Sequence, residues 1–250
     1  MVKVIITGPK GKMGSLIVKA AYEQENINII GAVGPKERDY IGQDIGEITG
    51  LGVRLEALVY EDIEKVIEDC DVVIDFSTVT LSMEILTACI SHKKALVCGT
   101  TGFSKEQEEQ FIDAGKRISL LRAANTSYVT NVMKKLIVLA AEALGDKAKI
   151  DIIDMHDEKK VDSPSGTSKE FAREMAEASG KDITEISHHS VRSGDISSFH
   201  NVIFGCIGER LEITHHAYNF GCYARGAVEG ALFLEGRPIG LYSMEDVIGI

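Results

Sequence analysis

The chain carries five cysteines, Cys70, Cys89, Cys98, Cys206 and Cys222, but no C-x-x-C pair, and the count is odd. That spacing excludes a disulfide framework and leaves a reducing, cytoplasmic setting as the expectation. Long apolar runs are missing too. The longest, LIVLAAEAL at 136–144, is interrupted by Glu142 and is far shorter than the ~20 residues a membrane helix requires. The start, MVKVIITG, reads directly as a strand with no apolar leader segment, so no secretory signal is expected. Basic residues are outnumbered, 27 Lys and Arg against 38 Asp and Glu, for a net charge of −11. This argues against a nucleic-acid partner, and any anionic ligand must meet a local cluster of cations. No G-x-S-x-G elbow is present, which removes a serine hydrolase of that type. Nor is there a Pro/Ser-rich linker, a low-complexity tract or an internal repeat.

What remains is an ordinary globular composition, 44% hydrophobic and 26% charged, over a length that suits one large domain or two modest ones. The first half alternates apolar, β-branched runs with helical spacing. Strands are predicted at 2–7, 27–33, 71–76, 94–98 and 117–121, with helices at 14–24, 61–69, 80–91 and 104–115 between them. Repeated βα units of this kind predict a doubly wound, Rossmann-type α/β domain whose parallel sheet is covered on both faces. After about residue 125 the rhythm changes. A helix over 129–145, a strand over 149–155 and a helix over 166–179 precede three strand-like runs, EISHHSV, HNVIFGC and RLEITHHA. Strands without intervening helices predict an α+β domain with a mostly antiparallel sheet. A small-residue helix over 221–235 then returns to the first domain. The expected division is 1–125 with 220–250 for a dinucleotide-binding domain and 126–219 for a substrate-binding and oligomerisation domain.

Behind the first strand stands Gly8-Pro9-Lys10-Gly11-Lys12-Met13-Gly14, a G-x-x-G-x-x-G loop that leads into a helix. Glycines there let the backbone turn tightly and approach a pyrophosphate, whose charge faces the helix N-terminus. The alternative is a plain turn, and the strand before and helix after favour the nucleotide. Past the second strand, GAVGPKERD offers Lys36 and Arg38 rather than an acid at the strand tip, a lean toward NADPH over NADH. Two later strand ends, Gly99-Thr100-Thr101 and Ala123-Ala124-Asn125-Thr126, supply small residues and hydroxyls suited to the other end of such a cofactor, or else simple turn chemistry.

The segment HDEKKVDSPSGTS, residues 156–168, carries the most chemistry. His156 exchanges a proton near neutral pH, and Lys160, four residues on, holds a negative charge or supplies a proton. Pro164 is expected in a first helical turn, with Ser165, Gly166 and Thr167 presenting donors at the positive end of the helix dipole, a dock for a small carboxylate. A charged turn with an ordinary Ser cap is the alternative. His188-His189 and His215-His216 invite a metal reading. Adjacent histidines on a strand face opposite ways, however, and no Cys or carboxylate cluster has ligand spacing, so no metal is expected.

With these residues in view, the chain resembles the 4-hydroxy-tetrahydrodipicolinate (dihydrodipicolinate) reductase family. The resemblance runs nearly end to end: the glycine loop ending Lys12-Met13-Gly14, Asp75-Phe76-Ser77, Gly99-Thr100-Thr101-Gly102, Ala124-Asn125 with Ser127 and Asn131, and Lys160-Val-Asp162-Ser-Pro164-Ser-Gly166-Thr167. Arg192-Ser-Gly194-Asp, His200, Gly208-Glu209, Gly226-Ala227 and Tyr242 with Met244 and Asp246 continue it. It implies NAD(P)H-dependent reduction of a cyclic dicarboxylate in the diaminopimelate route to lysine, in a cytoplasmic homotetramer. By position it makes His156 the proton donor or acceptor and Lys160 a second donor, and it lets Gly166 and Thr167 hold a substrate carboxylate. Three departures stand out. Asp157 replaces a second histidine beside His156, Asn219-Phe220 replaces a Ser-Arg pair, and the acidic-basic pair after the second strand is not evident. They leave room for another amino-acid-derived imine as substrate, or for a nucleotide-sensing paralogue without turnover.

Overall fold

The computed structural model describes residues 1–250. Its elements run β1 (Val2–Thr7), α1 (Lys12–Tyr22), β2 (Ile27–Val33), α2 (Ile45–Ile48), β3 (Leu58–Tyr60), β4 (Val72–Asp75), α3 (Val79–His92), β5 (Ala95–Cys98), α4 (Lys105–Ala114) and β6 (Ser119–Arg122). Then follow α5 (Tyr128–Leu144), β7 (Lys149–His156), α6 (Gly166–Ser179), β8 (Ser187–Arg192), β9 (Ser198–Cys206) and β10 (Glu209–Ala217). The chain ends with α7 (Gly221–Leu234), β11 (Gly240–Tyr242) and α8 (Met244–Ile248). It divides into two compact units, residues 1–127 with 221–249, and residues 128–220 with the final residue. No helix is long and apolar enough to cross a membrane.

The first unit is a seven-stranded, all-parallel sheet in the order β11-β6-β5-β4-β1-β2-β3. β1, β4 and β5 are buried on nearly every residue, which is why they read as unbroken apolar runs rather than alternating ones. Ile5, Val73, Leu96 and Leu120 pack with Ile85 of α3 and Phe111 of α4 on one face of the sheet. Each such fully buried side chain contributes roughly 1.5–3 kcal/mol. α7 lies beside α1 and against β4 and β5. Its glycines allow the approach, since a Cβ on Gly226 would meet the Thr126 carbonyl oxygen at 1.7 Å.

The structure departs from the sequence reading at short elements. The helix predicted over 61–69 is two separate 3-10 turns, Ile63–Lys65 and Ile67–Asp69. Val66 between them has φ −140°, outside the helical range, and it buries its side chain in the core. β3 and β11, three residues each, carry too little pattern to announce themselves. Both are nonetheless paired at the sheet edges.

The second unit is a four-stranded mixed sheet, β10-β9-β7-β8, antiparallel except where β8 joins β7 in parallel. Met133 and Ile137 of α5, with Phe171 and Met175 of α6, cover the face that carries Ile150, Ile152, Val202 and Phe204. β7 alternates strictly, with Ile150, Ile152, Asp154 and His156 all buried on that face. The core face of β7 therefore changes from aliphatic to ionisable over its last four residues.

Candidate active site

In the first unit the sheet order reverses between β1 and β4, the switch point where an open α/β sheet forms its crevice. Gly8 turns there with φ +60°, and its carbonyl accepts from the Gly11 N–H at 2.9 Å. A Cβ on Gly14 would sit 2.0 Å from that same oxygen, so only glycine lets α1 start this close to the strand end. Gly11 occupies the N-cap with no side-chain cap, leaving the first-turn donors of α1 to the crevice. Lys12 and Met13 form the opening of that helix.

A cavity of about 740 Å³ lies against this loop, lined by Gly8, Lys10, Gly11, Lys36, Arg38, Asp39, Tyr40, Phe76 and Ser77 among others. Lys10 stands over the Tyr40 ring at 5.7 Å, and Lys36 and Arg38 after β2 line the same cavity. Asp75, fully buried, organises the adjoining strand ends. It accepts from the hydroxyls of Thr7 (2.6 Å), Ser77 (2.6 Å) and Thr100 (3.1 Å) and from Ser82. Thr100 in turn accepts from the Ser77 N–H at 2.9 Å, and Gly99 packs beneath the Phe76 ring. The hydroxyl of Thr100 therefore fixes the Phe76-Ser77 corner, while Thr101 is exposed.

Ala123 continues the β6 end through its N–H to the Cys98 carbonyl, and Ala124 follows it, exposed. The Asn125 side chain accepts from the Ser127 N–H at 2.9 Å. The buried Thr126 hydroxyl donates to the Tyr223 carbonyl at 2.7 Å, which ties it to α7.

In the second unit the ionisable end of β7 centres on Asp154, 1% exposed. Oδ1 accepts from Arg192 Nη1 at 2.6 Å and faces His156 Nδ1 at 3.1 Å. Oδ2 accepts from Ser190 (2.8 Å), Ser168 (3.1 Å) and the Ser165 N–H (3.3 Å). Burial alone would raise this carboxyl, but the bonds from Arg192, Ser190 and Ser165 override it and hold it at about 2. Burial pushes His156 below the ordinary imidazole range, and Lys160 and Arg192 push the same way against the Asp154 bond. Lys160 pairs with Asp162 at 2.7 Å, and that bond holds the Asp162 carboxyl down.

Pro164 precedes the helix instead of entering its first turn, and the Ser163–Pro164 bond is cis. Ser165 is the N-cap, buried, its hydroxyl accepting from the Ser168 N–H at 3.2 Å and its own N–H given to Asp154. Its hydroxyl and its N–H are thus both engaged within the fold. Gly166 opens α6, and a Cβ there would meet nothing within 4 Å. Asp157 accepts from the Lys159 N–H at 3.0 Å, so its carboxylate folds back on its own turn. On β8 and β10 the paired histidines split as strand geometry demands. His189 bonds Asp151 at 2.8 Å while His188 is half-buried, and His215 is buried while His216 packs on Phe199.

Sequence reading passed over Asp154, Ser198 and Ser190, and gave Arg192 and His200 no role. The signal for Asp154 was present, since a residue two before His156 on a strand shares its face.

The comparisons with known proteins agree across both units. Residues 2–126 match the family model described as dihydrodipicolinate reductase, N-terminus, and residues 129–248 match its C-terminus counterpart. A protein of Syntrophotalea carbinolica named 4-hydroxy-tetrahydrodipicolinate reductase is 37% identical over 267 aligned positions, covering 100% of both chains. One of the same name from Geotalea daltonii is 36% identical, also over 100% of both. Among solved structures, a dipicolinate-bound dihydrodipicolinate reductase from Paenisporosarcina sp. TG-14 superimposes with a TM-score of 0.81 at 26% identity, covering 99% of each chain.

Proposed function

The chain belongs to the dihydrodipicolinate reductase family, and we propose on that premise that it reduces 4-hydroxy-tetrahydrodipicolinate to tetrahydrodipicolinate with NAD(P)H, water being lost from the hydroxylated ring. The observation that carries this reading beyond family membership is the pairing of two part-sites in one chain. One is a glycine-loop crevice with an uncapped helix start. The other is a buried imidazole followed by a lysine and a second helix start.

The residues present fit a dinucleotide. Gly8 and Gly11 form the tight turn that lets a pyrophosphate approach the first turn of α1, Gly14 permits the close packing behind it, and Lys10, Lys36 and Arg38 supply cations. The reduced nicotinamide contributes one hydride to the acceptor ring. Three basic groups lining one cavity support a preference for NADPH, whose 2′-phosphate they would neutralise. Gly99, Thr100, Thr101, Ala123, Ala124 and Asn125 form the strand-end segments assigned to the nicotinamide side.

For the substrate, the reading assigns a carboxylate to the Lys160 ammonium and the N–H groups at Gly166 and Thr167. His156 serves as the acid. Its pKa, depressed by burial, rises when a dianion binds nearby, because a neighbouring negative charge favours the imidazolium. Asp157, turned onto the Lys159 N–H, spares the dianion a direct repulsion. The dipicolinate bound to the Paenisporosarcina relative supports a small planar dicarboxylate as the ligand class.

We further infer a cytoplasmic homotetramer. Exposed Val129, Leu136 and Leu139 on α5 and Leu211 on β10 support an assembly through the second unit, which light scattering checks.

The test is a coupled assay in which dihydrodipicolinate synthase generates the substrate and NAD(P)H absorbance is followed. Turnover is expected with the whole chain and a marked loss of kcat in Lys160→Ala. No oxidation at micromolar enzyme would overturn the proposal.

A further inference from the structure

The polar side chains at the end of β7 close into a circuit. It runs from Asp154 Oδ1 to His156 Nδ1 (3.1 Å), from His156 Nε2 to Ser198 Oγ (3.2 Å), and from Ser198 Oγ to His200 Nδ1 (3.5 Å). It continues from His200 Nε2 to Ser165 Oγ (3.3 Å), from Ser165 Oγ to Ser168 Oγ (2.8 Å), and returns from Ser168 Oγ to Asp154 Oδ2 (3.1 Å). All six residues are buried, so water does not compete for these groups.

Six contacts need six protons, one in each. With Asp154 ionised and both imidazoles neutral, the three hydroxyls and two rings supply five. One contact must lack a proton, and the longest, Ser198 to His200 at 3.5 Å, marks it. The remaining order then follows without conflict. His156 carries its proton on Nδ1 and donates to Asp154, and Ser198 donates to His156 Nε2. His200 carries its proton on Nε2 and donates to Ser165, which donates to Ser168, which donates to Asp154. A proton taken up at His156 Nε2 fills the gap. Ser198 then accepts from His156 and swings its own hydrogen to His200 Nδ1.

We propose that this circuit stores the proton that His156 passes to the substrate, with Asp154, Ser198 and His200 as positioning residues that set how readily His156 gains and releases it. The proposal rests on the reductase reading above. In the reaction, the hydride forms a new C–H bond on the substrate ring as the nicotinamide is oxidised. As the substrate ring replaces Ser198 as the acceptor, the His156 Nε2–H bond breaks, and its proton completes the reduced ring. The Ser198 hydrogen returns to Nε2, and one proton from water recharges His156. Burial pushes His200 down to about 3, which keeps it the neutral acceptor the scheme requires. The charged and titratable groups facing His156 are Asp154 on its own strand, Arg192 on β8, His200 on β9 and Lys160 from the loop, with His215 of β10 stacked beyond His200 at 6.3 Å.

The circuit is tested first without a variant, by nitrogen-15 histidine NMR of the whole chain near neutral pH. Its proton order predicts the Nδ1–H tautomer for His156 and the Nε2–H tautomer for His200. The second test is the pH dependence of kcat. Asp154→Asn removes the group that favours the imidazolium, so the alkaline limb shifts about one pH unit lower and kcat at pH 7.5 falls about ten-fold or more, while the KM for NADPH stays within about two-fold. Asp154→Glu restores most of the loss. A purely structural role for Asp154 would lower stability and leave the limb in place. His156 found as the Nε2–H tautomer, or an unmoved limb in folded Asp154→Asn, would overturn the circuit. The expected tautomers in a chain that oxidises no NAD(P)H would support the hydrogen-bond order and overturn the reductase reading instead.

Discussion

Gly166→Ala separates a glycine required by the fold from one required by a ligand. A Cβ at Gly166 meets no atom within 4 Å, and its φ is not in the left-handed range, so the fold gives no reason for glycine there. Alanine in a helix is favoured over glycine by up to about 1 kcal/mol, so stability in urea is expected to hold or rise slightly. If the N–H at this position cradles a carboxylate, the new methyl stands where the ligand must approach. The substrate KM then rises about ten-fold or more, or about 1.4 kcal/mol, with the NADPH KM unchanged. Gly14→Ala is the converse. Its Cβ would lie 2.0 Å from the Gly8 oxygen and 2.6 Å from the Gly8 carbonyl carbon, whereas ordinary contacts begin near 3.4 Å. Both neighbours are backbone, so loop and helix must separate, at about 1–3 kcal/mol. NADPH affinity measured by fluorescence is expected to fall with stability, while any substrate effect follows from cofactor loss alone. Steady-state kinetics with each substrate varied in turn, and urea unfolding of each variant, give the numbers needed. An unchanged substrate KM in Gly166→Ala would refute the carboxylate dock. Native stability and NADPH affinity in Gly14→Ala would refute the packing argument.

Other outcomes follow from charge. Replacing Lys36 and Arg38 together by Ala is expected to raise the KM for NADPH about ten-fold and leave that for NADH within two-fold; equal changes for both cofactors would dismiss a role in 2′-phosphate binding. Asp154 is held at about 2 against an ordinary carboxyl value of 3.8, so its contribution is complete above the unfolded value and is lost as pH falls toward 2. That loss amounts to roughly 2 kcal/mol, to be read from hydrogen exchange at core amides such as Ile152 between pH 4.5 and 2. His92, bonded to Glu68 at 2.7 Å and Glu64 at 2.8 Å, is raised by those bonds. Its stabilisation is complete below the unfolded value and fades as pH rises through the folded one. The stability gap between wild type and His92→Gln should therefore narrow from pH 5 to pH 8, and a constant gap would contradict the ion pairs.

The sequence is most readable where burial is complete and elements are long. β1, β2, β4, β5 and β6 stand out because a parallel sheet covered on both faces needs unbroken apolar runs, and the glycine loop because its spacing answers a geometric demand at Gly8 and Gly14. Elements set by tertiary fit are not readable. Residues 61–69 have helix-forming composition, yet Val66 leaves the helical range to bury its side chain, and three-residue strands such as β3 exist only through their partners. The site divides in the same way. His156, Lys160 and Gly166 announce themselves by chemistry and by a helix start, but Asp154 looks like one more charge in a strand until β8, β9 and α6 bring Arg192, Ser190, His200 and Ser165 around it. No local pattern encodes that convergence, because its members lie up to 46 positions apart in the numbering, Asp154 to His200.

One carboxylate also closes the loop that carries Lys160. Asp154 bonds His156 on the near side of residues 157–164 and the Ser165 N–H on the far side, a clasp on both ends of the segment, while Arg192 holds its Asp162 carbonyl and Gly194 its Glu158 N–H. Within that span Val161 is 96% exposed and carries no share of the core. Substitutions at such exposed positions leave the clasp intact, so the segment can be changed without disturbing the scaffold. The segment is accordingly the natural unit to exchange when a member of this fold is to be redirected to a different ring acid.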